Sequence, residues 1–454
     1  MPTTKELLKI SNVRYFIMFR TCYFARFYYP VFTLLYLDYG LTLSQFALLN
    51  TVWAATIVLA EVPSGAFADT LGRKKLVVLS SIIMFIEIAL IAFVPTGNPT
   101  FLFSIFLINR VLSGLAMALA SGADEALAYD TLKEQGHEKE WPQILQTLLR
   151  VSSTVSIVVT IVGASMYDLN VMGYIFNFFS FTAPESTKEI MRIPVYATLI
   201  VALLALYAAI NMVEPKKNNQ IKIEDRNNLT NKETKNAKIL ASLKLTMQTG
   251  KWVIATPSVL FILLYYSLFE QTSRMFLTMN SQYYRAIDIP ILYFGFIGAG
   301  INIMRIVFAG FSRRLAENMK PIHFILMMGL AATLTYFAIG FGFSIYGLIP
   351  VLILVFITTT VNMFISYHLN LRTESHHRAT VLSFKGLVFN IGYGSIGLLY
   401  AYYYALISKG YTKKEIDNDV AFLASLPAFY LYFITLFIIL TLLFWRKNRQ
   451  RKVW

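Results

Sequence analysis

Several ionisable side chains lie inside long apolar stretches of this chain: Arg20, Arg26, Glu61, Glu87, Arg110, Glu270, Arg274, Arg305, His368 and Lys385. An ionised group in hydrocarbon costs at least about 2.5–3.5 kcal/mol, so each must face protein or water and have a reason to be there. The chemistry such groups offer is anion binding and proton movement. Arg110 keeps its charge at any physiological pH, so it can hold an anionic group or bias a neighbouring carboxylate towards ionisation. A structural arginine bonded to backbone carbonyls is the alternative. Glu270 and Arg274 stand one helical turn apart, which predicts a local ion pair, with a gated pair as the sharper reading. His368 can relay protons or simply be hydrogen-bonded near a helix end. Arg20 and Arg26 fall about 240° apart on a continuous helix, so they are not expected to share a face, and one of them can snorkel to an interface. Glu87 reads as paired, and Glu61 as part of a charge network near Asp69 or as an interfacial carboxylate.

Other chemistries lack their residues. No G-x-x-x-x-G-K-[ST] loop is present, which argues against an ATP-driven pump. Gly392-Tyr393-Gly394-Ser395-Ile396-Gly397 fits G-x-G-x-x-G, but it follows no strand and lies inside an apolar stretch, so it reads as small residues for helix packing. His376-His377 is too isolated for a metal site. No nucleophile–base arrangement stands out, and the single Cys22 cannot form an internal disulfide. No enzyme activity, cofactor or metal is expected.

The elements that must position these charges follow from composition. Of the 454 residues 56% are apolar and only 14% charged, against about 25% charged in soluble proteins. A helix needs about 20 apolar residues to cross a hydrocarbon core, and only helices or closed barrels satisfy their backbone there. The runs here are long and continuous rather than short and alternating, so a barrel is excluded. Twelve candidates run near 13–37, 44–68, 76–95, 101–126, 143–166 and 193–213, then 253–276, 289–312, 321–343, 346–369, 381–406 and 420–445. The polar start Met1–Asn12 is followed by no cleavage site, so the first candidate is expected to remain.

Lysine and arginine collect in alternate loops: Arg73, Lys74 and Lys75; Lys133 and Lys139; the stretch 216–251; Arg313, Arg314 and Lys320; Arg372 and Arg378; and the tail from Arg446. The positive-inside rule makes that side cytoplasmic and places both termini there. The net charge of +15 then reflects topology and attraction to anionic lipids, not nucleic-acid binding. The polar interval Glu214–Lys251 separates two sets of six candidates. Its first part reads as a flexible linker. Its second part, with Ile239, Leu240, Leu243 and Met247 opposite Lys238, Lys244 and Lys251, reads as a short interfacial helix. Six plus six helices about a polar loop is the pattern of a transporter built from repeats.

Between the second and third candidates lie Gly65, Asp69, Gly72, Arg73 and Lys74, spaced G-x-x-x-D-x-x-G-R-K. The glycines permit close helix approach and a tight turn, and Asp69 at a helix mouth can accept from the first N–H groups of a neighbouring helix. This loop and its position closely resemble the signature of the major facilitator superfamily. Arg110-Val111-Leu112-Ser113-Gly114 resembles that family's R-x-x-x-G pattern. Glu61–Gly65, Ser121–Leu127 with Tyr129-Asp130, and Arg378–Ser383 resemble a bacterial subgroup of uncertain substrate. The fifth candidate lacks the family's antiporter signature, since Ser156–Tyr167 offers only Gly163, which weakens a drug–proton antiport assignment.

The resemblance implies that Asp69 caps the eleventh helix, which begins near Thr380, and that Arg73 faces an acid at the end of the fourth. Asp124 is the expected partner. It follows Arg110 by fourteen residues, about 320° on a continuous helix, and so lies near the same face while Asp130 points elsewhere. Such a clasp would hold the cytoplasmic side shut and open as two halves rock. Read only as topogenic charges, Arg73–Lys75 leave Asp69 and the glycines unaccounted for. A worn copy, Ala309–Leu315, places Arg313 where Asp69 would fall. The resemblance further implies that the first, fourth, seventh and tenth helices line a central cavity. Those helices carry the substrate and coupling candidates Arg20, Arg26, Arg110, Glu270, Arg274 and His368.

The sequence thus predicts an all-α polytopic membrane protein, with 12 transmembrane helices in two six-helix pseudo-repeats. Its parts are a bundle over 1–213, a linker over 214–252, and a second bundle with a basic tail over 253–454. The expected function is secondary active transport of a small organic solute by alternating access in the plasma membrane (the inner membrane in a bacterium). Proton coupling is expected, efflux is preferred, and the excess of arginine points to an anionic or zwitterionic solute. Protons and membrane lipids are the other expected partners of a monomer. The alternatives are an uptake symporter of an organic anion and a transport-inactive receptor or scaffold.

Overall fold

The computed structural model describes residues 4–215, 250–372 and 375–451, and within them every side chain except those at 62, 65, 66, 69, 70, 370–372, 375–383 and 447–451. Among the described residues all regular structure is helical. Helices stand at all twelve predicted crossings. Among the described residues nine are long and apolar enough to span a membrane. The other three are the first, which is broken, the seventh, which carries Glu270, Gln271 and Arg274, and the eleventh. Most of the segment expected to form an interfacial helix, and most of the linker, lie outside the described residues.

The first crossing is where the structure departs most from a continuous helix. Ser11–Phe24 is α-helical, Tyr29–Val31 is a short 3-10 turn, and Phe32–Tyr39 completes the passage. Pro30 offers no backbone N–H and fixes its own φ, which favours a break ahead of it. An unwound backbone at membrane depth must find partners. The Phe27 N–H donates to Thr198 Oγ1 at 3.0 Å in the sixth crossing. The Phe27 carbonyl lies against Gly163 of the fifth crossing, where a Cβ would overlap it. The glycine that fails to make an antiporter signature therefore makes room for the break.

The fourth crossing, Pro99–Ala120, also ends before its apolar run does. Gly122 takes φ +74°, and a separate helix, Ala123–Glu134, follows. The turn resets the rotational phase that links Arg110 to every later residue.

The first six crossings pack with one another, as do the last six. The seam between the two bundles is made by the second crossing (Leu43–Leu71) against the eleventh (Ser375–Ile407), and by the fifth (Trp141–Ser165) against the eighth (Ile291–Asn318). Small residues bring these backbones close. A Cβ on Gly295 would lie 2.6 Å from the Thr160 carbonyl oxygen and the Ile161 Cα. Thr51 Oγ1 donates to the Gly394 carbonyl at 3.1 Å, so the G-x-G-x-x-G stretch serves helix packing, as its setting predicted.

An even number of crossings returns the chain to the face where it starts, here called the termini face. There Asn12 Nδ2 donates to Thr131 Oγ1 and to the Val213 carbonyl, each at 2.7 Å. At the opposite, distal face the bundles are joined by hydrogen bonds. The Thr33 N–H donates to Ser281 Oγ at 3.1 Å and Thr33 Oγ1 to the Thr278 carbonyl at 2.8 Å.

Candidate functional site

The signature loop is a turn held by local partners. Gly72 takes φ +95° between Leu71 and Arg73, the conformation that favours glycine. The Glu214 carboxylate accepts from the backbone N–H groups of Arg73 at 3.1 Å and Lys74 at 2.7 Å. An acid thus sits at the N-terminus of the third crossing, where the helix dipole favours it. Sequence reasoning missed Glu214, placing it in the linker. The side chain of Asp69 and the surroundings of Gly65 lie outside the described residues, and so do the side chains at the start of the eleventh helix.

The expected Arg73–Asp124 pair is not formed. Arg73 pairs with Asp130 and donates to the Ala126 carbonyl at 3.1 Å. Asp124 is fully buried and meets Arg20, Nη1 to Oδ2 at 3.2 Å, while Arg20 Nη2 reaches Glu125 Oε1 at 2.5 Å. The extrapolation from Arg110 assumed one continuous helix, and the turn at Gly122 rotates Asp124 away from Arg73 and brings Asp130 to it. Arg313, in the worn copy, is 3.7 Å from Glu317 one turn along its own helix, both side chains exposed.

Arg20 and Arg26 were expected on different faces, yet both line one cavity of about 360 Å³ between the first and fifth crossings. The helix ends at Phe24, so the angle computed along an unbroken helix does not apply. Arg20 is partly exposed beside the exposed Glu125, whereas Arg26 is buried. Arg26 is 2.6 Å from Glu87 Oε1 and donates to the Tyr28 hydroxyl at 2.9 Å. Glu87 is also held by Asn109, whose amide donates to the Glu87 carbonyl at 2.7 Å and to its carboxylate. Glu87 is paired, as its sequence position predicted.

A central cavity of about 380 Å³ adjoins this one and shares Phe24, Arg26 and Tyr29 with it. Arg110 enters it from the fourth crossing and Arg274 from the seventh. Arg110 donates to the Tyr36 hydroxyl and stacks over the rings of Phe32 and Tyr36, 5.1 and 5.2 Å from their centroids. The reading of Arg110 as bonded to backbone carbonyls is not what the structure shows. Gly114, four residues on, lets the fourth crossing approach the second. A Cβ there would lie 2.8 Å from Thr56 Cβ.

The predicted Glu270–Arg274 ion pair is absent among the described residues. Arg274 lies over Phe389, Tyr393 and Trp53 at 4.5, 4.8 and 5.1 Å. The three rings compete with the carboxylate for the guanidinium through cation–π attraction. Glu270 instead accepts from Asn362 Nδ2 at 2.9 Å. It lines a third cavity of about 550 Å³, which shares Arg274, Leu277 and Thr278 with the central one and also holds Arg305. Glu270 is the one carboxylate among the described residues lining the three lobes. His368 is not brought to any of them. It packs against Phe364 and Tyr367, with centroids 4.2 and 5.1 Å apart. Glu61 faces the eleventh crossing, where a Cβ on Gly386 would be 3.7 Å from its Oε1.

Two helical bundles enclosing a polar, arginine-lined cavity between them define a membrane transporter fold. The sequence profile of the Major Facilitator Superfamily matches residues 15–397, and the chain belongs to that superfamily. No curated protein matches it in sequence. Among solved structures it is similar to the nucleoside transporter NupG, with 12% identity, a TM-score of 0.68, and 96% of this chain and 99% of that one covered. It is also similar to a bacterial homolog of the human lysosomal transporter Spinster, inward-facing and unoccupied, at 14% identity and TM-score 0.69 over 98% and 97% of the two chains. The inward-open xylose transporter XylE from E. coli gives 12% identity and TM-score 0.57 over 96% and 95%. At these identities the likeness is one of fold.

Proposed function

We propose that this chain moves a small organic solute, anionic or zwitterionic, by alternating access and couples that movement to protons. The carrying observation is a central cavity between the bundles with an adjoining lobe on either side, lined by Arg20, Arg26, Arg110, Arg274 and Arg305 against one carboxylate among the described residues, Glu270. The distal hydrogen bonds of Thr33 to Ser281 and Thr278, and that of the Leu292 N–H to Asp168 at 3.2 Å, support the reading of this state as closed at the distal face, opposite the termini face that the loop charges make cytoplasmic. Residues 1–213 and 253–454 are the two rocking units, and 214–252 tethers them. Membrane lipids surround a monomer in the plasma membrane. Export is the proposed direction.

Glu270 is the proposed proton carrier. It shares its lobe with Arg274 and Arg305, so an anion arriving at Arg274 changes the charge balance around it. In proteoliposomes loaded with a pH-sensitive dye, a transported solute should drive proton movement, and Glu270→Gln should abolish that movement while leaving solute exchange intact. Solute flux indifferent to an imposed proton gradient would remove the coupling. Accumulation in right-side-out rather than everted vesicles would reverse the direction.

A further inference from the structure

We infer that Arg110 and Arg274 form a two-armed site for the acidic group of a ring-bearing amphipathic anion, one arm from each bundle. This rests on the transport reading above and names the class of solute.

Two of the cavity arginines are already neutralised. Arg20 meets Asp124 and Glu125, and Arg26 meets Glu87. Arg110 meets no carboxylate. Its side chain is only 6% exposed, and its Nε is buried without a hydrogen-bond partner. The acid in the neighbouring network, Glu87, is occupied by Arg26 and Asn109. Arg274 forms no ion pair and donates no hydrogen bond among the described residues; only aromatic rings hold it. Two guanidinium groups therefore face one cavity with N–H groups to spare. A buried unpaired charge is costly, and an anion delivered by the ligand removes that cost. Guanidinium forks bind carboxylate, phosphate or sulfonate oxygens in pairs.

The rest of the wall sets the remainder of the molecule. Phe24, Tyr29, Phe32, Trp53 and Tyr393 line the same cavity, with Met117. Its volume of about 380 Å³ is in the range that holds a small organic molecule. A bare inorganic anion would leave these rings facing water, and a cation would meet two like charges. An aromatic acid satisfies both ends.

The placement also gives the ligand something to do. Arg110 stands in the first bundle. Arg274 stands in the second, under Trp53 of the first and Tyr393 of the second. An anion held by both arms ties the bundles together across the seam, so its affinity differs between open and closed states. That difference is what lets a ligand drive a conformational change.

The test uses the purified full chain in lipid nanodiscs, with 2-naphthoate and benzoate as probes and acetate, benzamide and benzylamine as controls. At concentrations about tenfold above its Kd, 2-naphthoate should raise the melting temperature by roughly 2 °C, while the controls leave it unchanged. Arg274→Gln should raise the half-maximal 2-naphthoate concentration on the order of tenfold or more. Arg274 makes no hydrogen bond that folding depends on, so this variant is the primary one, and Arg110→Gln is the second. The exposed Arg313→Gln should behave as the parent does.

Equal stabilisation by benzamide or benzylamine, a 2-naphthoate shift that survives Arg274→Gln, or no shift with either acid would overturn the site. Transport is read separately. Flux of a neutral solute in proteoliposomes would sink the solute class and keep the transporter. Binding of 2-naphthoate without flux of any solute would keep the site and sink the transport reading.

Discussion

Asp168 of the first bundle accepts a hydrogen bond from the backbone N–H of Leu292 in the second, at 3.2 Å. The same carboxylate caps its own helix, Leu169–Phe178, through the N–H groups of Asn170 and Val171 at 3.0 and 3.1 Å. One buried acid thus serves two helix N-termini, where dipoles favour negative charge, and the second of those helices belongs to the other bundle. Rocking that opens the distal face must break the bond to Leu292.

Asp168→Asn tests that latch. Asparagine is as good an N-cap as aspartate, so folding should be nearly unchanged, while the attraction to the eighth helix loses its charge. Charge-assisted hydrogen bonds contribute about 1.5–3 kcal/mol, so the distal-open population should rise roughly tenfold or more. Hydrogen–deuterium labelling of the Thr33 backbone N–H, which is bonded across the bundles at this face, reads this population without a reporter in the latch. An unchanged labelling rate would mean that the bond does not hold the face shut.

Arg73 and Asp130 are 31% and 43% exposed, so their pairing should be weak. A double-mutant cycle on Arg73→Ala and Asp130→Ala should give a coupling of about 0.3–1 kcal/mol. The corresponding cycle with Asp124→Ala should give none. A larger coupling to Asp124 would restore the partner expected from the sequence.

The buried Arg26–Glu87 pair is a different case. Removing one partner leaves a charge stranded, so Glu87→Gln or Arg26→Met should each cost about 3–5 kcal/mol in unfolding experiments. The double replacement Arg26→Met with Glu87→Leu should recover much of that loss. Failure of the double variant to recover would mean that Tyr28 and Asn109 depend on the pair more than its charges do.

At the seam, Gly295→Ala would press a Cβ against the Thr160 carbonyl, and backbone cannot step aside as a side chain can. Overpacking of this kind costs about 1–3 kcal/mol. On the same helix Gly300 faces open space, so Gly300→Ala should be neutral or slightly stabilising through helix propensity. Melting temperatures of the two variants compare them directly.

Apolar runs, charge breaks and the loop Gly65–Lys74 carried the membrane class, the twelve crossings and the family resemblance. These are properties of contiguous residues, because hydrocarbon demands a certain length of apolar helix wherever that helix goes. Gly72 was legible for the same reason, as a local turn needs its own residue. Pro30 was present as a breaker, yet an apolar run continues through it, so the break in the first crossing was read as helix.

The pairings were a tertiary matter. Asp124 and Asp130 exchanged roles because one turn at Gly122 reset the helical phase, which no count of residues from Arg110 can carry across. Arg274 left Glu270 for three aromatic rings supplied by the second and eleventh helices, hundreds of residues apart in the chain. The sequence by itself determined that arginines would lie within the membrane. Which of them keep a free N–H for a ligand was decided only by packing, because a charge is neutralised by whatever the fold brings within a few ångströms of it.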